Sequence, residues 1–176
     1  DENVNYPFGY GLSYTTFDKR IVSSAPATED LSALDKIDIT VEVTNNGQVA
    51  GKDVVQIYYT APYKEGGIEK PYVVLGGFAK TDLLEPGHSQ QVTISLNVKD
   101  MASYDYSDAN TNGFKGYELD SGDYYIRLME NAHEEIASVK YNLAEGIQYP
   151  TAEGKTDNNL FDDVSNYLTD ELGEKY

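Results

Sequence analysis

The sequence predicts an all-β protein, built as an antiparallel β-sandwich. Several segments alternate apolar and polar residues with a period of two, which is the pattern of a strand with one buried face. Turn-forming residues separate these segments, and no long helical pattern occurs before residue 156. Tyr, Val, Ile and Thr are abundant, Tyr alone accounting for 16 residues, and these residue types favour strands.

Three segments carry the alternation most clearly, and a fourth is apolar almost throughout. Apolar residues occupy every second position in 37–43, 92–98 and 124–128. The run 54–59 is nearly continuous, as expected for a central strand. We therefore expect about seven strands over residues 17–141. The predicted core residues are Ile39, Val41, Val43, Val55, Ile57, Ile94, Leu96, Ile126 and Leu128.

Turn residues predict where the strands end. Asn45-Asn46-Gly47 follows the first alternating segment and suits a tight hairpin, because Asn and Gly tolerate positive φ. Glu85-Pro86-Gly87 precedes the strand at 90–98. The connection 61–72, which contains Gly66-Gly67, is predicted to be an exposed loop.

The C-terminal stretch differs from the rest of the chain. Apolar residues recur there with helical spacing, which predicts a short amphipathic helix over 159–172 after a polar linker. The predicted organisation is therefore a linker over 1–16 by which the chain enters the domain, a sandwich over 17–141, and a linker with an amphipathic helix over 142–176.

Charge and composition exclude several classes of function. The chain has 30 acidic residues against 13 Lys and Arg, so its formal net charge is −17. Nucleic-acid binding needs clustered Lys and Arg, and anionic membranes repel such a chain, so neither partner is expected. No cysteine is present, which excludes disulfides and thiolate metal sites. No signal peptide opens the sequence, and the compartment is left open.

One segment imitates the start of a calcium-binding loop. Asp108-Ala109-Asn110-Thr111-Asn112-Gly113 has the spacing of an EF-hand, but its twelfth position, which should be a bidentate Glu, is Leu119. No helical pattern flanks the segment. A plain hairpin is therefore expected here, and no metal site.

Several segments, taken in order, resemble one known domain. Residues 6–17 read YPFGYGLSYTTF, and 41–59 read VEVTNNGQVAGKDVVQIYY. Residues 69–96 continue as EKPYVVLGGFAKTDLLEPGHSQQVTISL, and SGDYYIRL stands at 121–128. These segments resemble the fibronectin type III-like domain of glycoside hydrolase family 3 enzymes, which include β-glucosidases. On this resemblance, 41–59 forms the first hairpin of the domain.

The resemblance implies an accessory domain of a larger enzyme that hydrolyses β-glycosides with retention. In the family, the two catalytic carboxylates lie in a barrel domain and a separate α/β domain. Neither segment is present here, so no catalytic residue and no cofactor is assigned to this chain. The implied role is to brace the catalytic domains, and the implied partners are those two domains.

The N-terminal aromatic residues are the candidate domain interface, together with the apolar face of the predicted helix. Gly9 and Gly11 are expected to let the backbone pass close to a neighbour. The aromatic side chains could instead pack on the sandwich itself, and the helix could fold back on it. On the resemblance alone, the helix leads into a following domain. The proposed interface residues are Tyr6, Phe8, Tyr10, Tyr14, Phe161 and Leu168.

The loop at 63–71 is the candidate contact with a β-glycoside substrate. A Tyr beside Lys and Glu residues can stack on a sugar and hydrogen-bond to it, although the loop could equally pack against a sister domain. The residues concerned are Tyr63, Lys64, Glu65, Glu69 and Lys70. A carbohydrate-binding β-sandwich is the alternative function, and a cell-surface adhesin repeat is a third. Neither is favoured, because the chain has no tryptophan and no internal repeat.

Overall fold

The structure, a computed structural model, describes residues 4–150. The regular secondary structure of this part is β-strand, apart from one short 3-10 helix at Val98–Met101. The strands are β1 Phe17–Ala25, β2 Lys36–Asn45, β3 Val54–Thr60, β4 Val74–Lys80, β5 Ser89–Asn97, β6 Ser103–Asp105, β7 Gly116–Leu119, β8 Gly122–Asn131, β9 Glu134–Leu143 and β10 Ile147–Tyr149.

Two antiparallel sheets form the sandwich. One has the strand order β1-β2-β5 and the other β4-β3-β8-β9, so the two together contain the expected seven strands. A third, smaller sheet has the order β10-β7-β6. The all-β sandwich predicted from the alternation is thus confirmed.

The core lies between the two large sheets, where the alternating residues meet. On β2, Ile37, Ile39, Val41 and Val43 are completely buried, while the intervening polar residues are partly exposed. All nine predicted core residues are buried, and the most exposed of them, Ile94, is 5% exposed. Burying one such side chain contributes about 1.5–3 kcal/mol. The strand register used in the prediction is therefore confirmed.

The hairpin expected over 41–59 is wrong. β2 lies in the three-stranded sheet and β3 in the four-stranded sheet, so the residues between them cross from one sheet to the other. This crossing is held by a bridge in which Gly51 and Leu84 exchange backbone hydrogen bonds of 3.0 and 2.8 Å. The Asn-Gly pair therefore makes a turn without making a hairpin.

Two glycines let the edges of the sheets approach each other. β4 borders one sheet and β5 the other. A Cβ on Gly76 would lie 2.4 Å from Cδ2 of Leu96, and one on Gly77 would lie 2.7 Å from Cγ2 of Ile94. Both distances are below van der Waals contact, so β4 can cover β5 only because side chains are absent at these positions.

The strands extend beyond residue 141, where we expected the sandwich to end. β9 runs to Leu143, and β10 pairs with β7 inside the stretch expected as a linker. A strand of three residues is too short to show a period in sequence. The predicted helix at 159–172, with its interface residues Phe161 and Leu168, lies outside the described residues.

Candidate docking surface

Backbone hydrogen bonds fix the N-terminal segment, residues 4–16, across the four-stranded sheet. The amide of Ala132, in the turn between β8 and β9, donates to the Phe8 carbonyl at 2.9 Å. The Gln56 side chain donates through Nε2 to the Gly9 carbonyl, also at 2.9 Å. Near the start of β1, the Asn46 amide donates to the Thr16 carbonyl at 3.0 Å. The segment therefore packs as part of the sandwich, although the sequence suggested a linker.

Gly9 is the point of closest approach. Its φ is +81°, and a Cβ there would lie 2.1 Å from Oε1 of Gln56 and 3.0 Å from the Tyr58 hydroxyl. Only glycine combines this backbone conformation with this contact. The close approach predicted at Gly9 occurs within this chain, whereas a Cβ on Gly11 would meet none of the described residues within 4 Å, so close approach to a neighbour there stays a prediction.

The segment buries polar groups on the outer face of β3. Val55 and Ile57 face the core, so Gln56 and Tyr58 point away from it, yet they are only 8% and 2% exposed. The Tyr58 hydroxyl donates to Oε1 of Gln56 at 3.0 Å, and Nε2 of Gln56 also donates to the Glu130 carbonyl at 3.1 Å. Burial raises the pKa of the Tyr58 hydroxyl.

The apolar side chains of the same segment face solvent. Tyr14 is fully exposed, Leu12 is 88% exposed and Tyr6 is 75% exposed. Phe8 and Tyr10 are exposed as well, and the Tyr6 and Tyr10 rings contact each other at 5.3 Å between centroids. From the sequence, these aromatic side chains could have packed on their own sandwich. In the structure they are exposed instead.

A groove of about 690 Å³ runs between this segment and β4. Phe8, Tyr10 and Leu12 line one side, and Leu75 and Phe78 of β4 line the other. Phe78 lies on the edge strand β4, and its aromatic side chain is 68% exposed. Polar residues such as Lys52 and Lys80 line the groove as well. We call the groove, together with the exposed apolar side chains beside it, the docking surface.

A buried lysine lies beneath the docking surface. Nζ of Lys19 in β1 lies 3.0 Å from a carboxylate oxygen of Asp53 and 2.6 Å from one of Glu130. Its side chain is 2% exposed. Asp53 precedes β3 and Glu130 lies in β8, so this contact joins the two sheets. Two carboxylates around one ammonium offset the cost of burying the charge.

The predicted sugar-contact loop is exposed at Tyr63, Lys64, Glu65 and Glu69, and buried at Ile68. Tyr63 is 53% exposed, and its hydroxyl donates to Oε1 of Glu69 at 3.1 Å, which raises the pKa of Tyr63. Lys64 and Glu65 are also exposed, and Nζ of Lys64 lies 3.5 Å from Oγ of Ser121. Ile68, in contrast, is buried and anchors the second half of the loop.

Lys70 does not face a ligand. Its side chain is 5% exposed, and its ammonium donates to the Pro62 carbonyl at 3.0 Å and to the Asp120 carboxylate. Asp120 also accepts from Nδ2 of Asn110 at 2.6 Å. Lys70 therefore ties the loop to the residue that follows β7, and its ammonium is taken up by contacts within the chain.

The calcium-like segment forms the connection between β6 and β7, which pair antiparallel. The hairpin prediction is thus confirmed. Asn110 and Asn112 both donate through Nδ2 to the Glu118 carboxylate at 2.7 Å, and Leu119 is a core residue. Among residues 4–150, no group of three or more His, Asp or Glu side chains is arranged to hold a metal ion.

Sequence patterns missed the residues whose partners are distant along the chain. Gln56 and Lys19 look like ordinary strand residues, and only the fold brings Gly9 or Glu130 beside them. Tyr72 and Arg127, which stack on each other, were likewise not singled out. Within the part that the structure describes, no helix is long and apolar enough to cross a membrane.

The strand order defines an immunoglobulin-like sandwich, with exposed aromatic side chains across one sheet. Residues 53–132 match the family model described as fibronectin type III-like domain. The chain carries such a domain, and it belongs with those of the family 3 β-glucosidases.

The similar proteins are much longer than this chain. A β-glucosidase A of Butyrivibrio fibrisolvens is 44% identical over 156 residues, which cover 83% of this chain and 18% of that protein. A β-glucosidase of Ruminococcus albus is 42% identical over 70% of this chain and 12% of its own length. The structure of a β-glucosidase from Paenibacillus barengoltzii matches with a TM-score of 0.71 at 39% identity, over 83% of this chain and 16% of that one. The chain thus spans less than a fifth of each of these relatives.

Proposed function

We propose that this domain braces the catalytic domains of a β-glucosidase-type enzyme, and that it does so through the docking surface. One observation carries the proposal. The backbone of the N-terminal segment is fixed by hydrogen bonds from Gln56 and Ala132, while its aromatic side chains point into solvent. A surface with a fixed backbone loses little conformational entropy when it binds, and the exposed aromatics supply the apolar area.

The parent enzyme proposed here hydrolyses β-glucosidic bonds with carboxylates outside this chain. The relatives are β-glucosidases, and the chain accounts for at most 18% of the two described above. Most of each relative is therefore available to cover the docking surface. The partners proposed for it are the barrel and α/β domains that the family resemblance implies.

The proposal is tested by making the same substitutions in two contexts. Phe8→Ala and Tyr14→Ala remove side chains that are 69% and 101% exposed here, so each should change the free energy of unfolding of this chain by about 0.5 kcal/mol or less. In the parent enzyme the same side chains are proposed to be buried, so each truncation should cost about 1.5–3 kcal/mol. Chemical denaturation of both proteins measures the difference.

Tyr106 provides the matched control. It is 51% exposed in the connection between β6 and β7, away from the docking surface. Tyr106→Ala should leave both proteins unchanged. Equal and small effects of Phe8→Ala in the chain and in the parent would show that the surface stays in solvent, and the bracing proposal would then be wrong.

A carbohydrate-binding β-sandwich is the second candidate function. It needs an exposed aromatic ring with fixed polar groups beside it, so that one face of a sugar and its hydroxyl edge are both contacted. Tyr72, beside the guanidinium of Arg127, meets this description on the outer face of the four-stranded sheet.

A further inference from the structure

Arg127 is held in one position on the outer face of β8. Its Nε donates to Oγ1 of Thr60 at 2.7 Å, and its Nη1 donates to the carboxylate of Glu135 on β9. The guanidinium carbon lies 5.1 Å from the ring centroid of Tyr125 and 5.3 Å from that of Tyr72. The side chain is 12% exposed, so a charged planar group is fixed at the surface before any ligand arrives.

Tyr72 is the exposed part of this arrangement. It lies just before β4 and is 72% exposed, although the guanidinium of Arg127 covers part of its ring. The ion pair between Arg127 and Glu135 is complete without the tyrosine. The contacts that hold Arg127 in place therefore do not account for the exposed ring of Tyr72.

A cavity of about 340 Å³ opens beside the ring. Tyr72 and Val73 form one side of it, and Arg127, Glu135 and the turn after β8 form the other. This volume lies at the lower end of the range of about 300–1,000 Å³ that small-molecule sites occupy. The lining combines an aromatic face, a donor and an acceptor within one small site.

We propose that this cavity binds a neutral pyranose sugar. The C–H face of the sugar ring packs on Tyr72, its hydroxyl groups accept from the Arg127 guanidinium, and they donate to the Glu135 carboxylate. An anionic ligand fits less well, because Glu135 already pairs with the Arg127 guanidinium and the chain carries a net charge of −17. The site deepens the second candidate function and does not depend on the bracing role.

Titration of the isotope-labelled chain with methyl β-D-glucopyranoside and with cellobiose, followed by amide NMR, tests the proposal. We expect saturable shifts at residues 72–73, 127 and 133–135 with millimolar affinity, which is weak enough to need this method. Tyr72→Ala should weaken binding by about tenfold or more, whereas Tyr72→Phe, which keeps the ring face, should stay within about threefold.

Two further variants make the test decisive. Tyr106→Ala removes another exposed tyrosine, 51% exposed in the connection between β6 and β7, and should leave the affinity unchanged. Arg127→Lys keeps the charge but loses the planar fork, and should weaken binding while the amide spectrum stays dispersed.

Three results would overturn the proposal. They are the absence of saturable shifts at millimolar sugar, an equal loss of affinity in Tyr106→Ala and Tyr72→Ala, and protection of Tyr72 from nitration by tetranitromethane in the sugar-free parent enzyme. The last result would assign the patch to a domain contact. None of these results bears on the bracing role, which is read from the stability of the parent enzyme.

Discussion

Asn45 is completely buried at the end of β2, and its side-chain amide joins three parts of the chain. Its Nδ2 donates to the carbonyls of Val49 and Leu84, both at 2.8 Å, and its Oδ1 accepts from Oγ1 of Thr15 at 2.8 Å. Asn45→Asp would place a charged oxygen against two carbonyl oxygens. We expect the free energy of unfolding to fall by about 3 kcal/mol or more, measured by urea denaturation.

Asn46 is the control for that substitution, because it is the next residue and its side chain is exposed. Asn46→Asp introduces the same charge and should change stability by about 0.5 kcal/mol or less. A similar loss in both variants would mean that added negative charge, in a chain that is already acidic, is responsible, and the role given to the Asn45 amide would be wrong.

Tyr124 predicts how stability depends on alkaline pH. Burial, helped by the nearby Asp120 carboxylate, raises the pKa of its hydroxyl above the ordinary value of 10.0. Above pH 10 the unfolded chain therefore loses this proton while the folded chain keeps it. The contribution of Tyr124 is complete below that pH and is lost by about 1.4 kcal/mol per pH unit as the pH rises further.

Tyr124→Phe removes the titratable hydroxyl and therefore its contribution to the pH dependence of stability. The variant should lose about 1 kcal/mol near neutral pH, because the hydroxyl donates to the Asp120 carbonyl at 3.0 Å, and it should then decline less steeply above pH 10 than the parent chain. Urea denaturation at a series of pH values measures both effects. Identical alkaline slopes in the two proteins would contradict this account.

Individual residues were predictable from sequence where their neighbours along the strand decide their environment. The alternation from Ile37 to Val43 gave the buried face of β2 correctly, because period two is a property of the strand itself. The polar residues were not predictable in this way. Lys70 was expected to face a sugar, but its partner Asp120 lies 50 residues further along, and only the fold brings the two together.

At the scale of the strand, the Gly76-Gly77 pair decides how β4 packs. Gly77→Ala would place a methyl group 2.7 Å from Cγ2 of Ile94, and β4 would have to move away from β5. We expect a loss of about 1–3 kcal/mol, the usual cost of overpacking. Gly11→Ala, where a Cβ meets nothing within 4 Å, is the control and should be within about 0.5 kcal/mol of the parent chain. Thermal unfolding followed by circular dichroism measures both, and equal stability of the two variants would contradict the close approach.

Strands that carry a clear apolar pattern were easier to predict than the connections between them. β2, β3, β5 and β8 each carry enough apolar positions for a period to be recognised. The three-residue strands β6 and β10 do not. The choice of sheet was also hidden, because Asn45-Asn46-Gly47 is compatible with a hairpin and with a crossing. The Gly51 bridge to Leu84, which is remote in sequence, decides between them.

At the scale of the whole molecule, we expect this chain alone to release no 4-nitrophenol from 4-nitrophenyl β-D-glucopyranoside. The reaction needs a pair of carboxylates across the scissile bond, and the family resemblance places both in domains that this chain lacks. An absorbance assay on purified chain checks this prediction. Turnover that persists after a host-derived β-glucosidase has been excluded would contradict it.

The path of the N-terminal segment has a mechanical consequence. A pull on the chain ahead of Tyr6 reaches the contacts of Phe8 and Gly9 with Ala132 and Gln56 before it reaches β1. The load therefore enters the four-stranded sheet first and reaches β1 through the later contacts of Thr16 and Lys19. A neighbouring domain that shifts would thus strain both halves of the sandwich together, and β1 would be shielded from being peeled off its sheet.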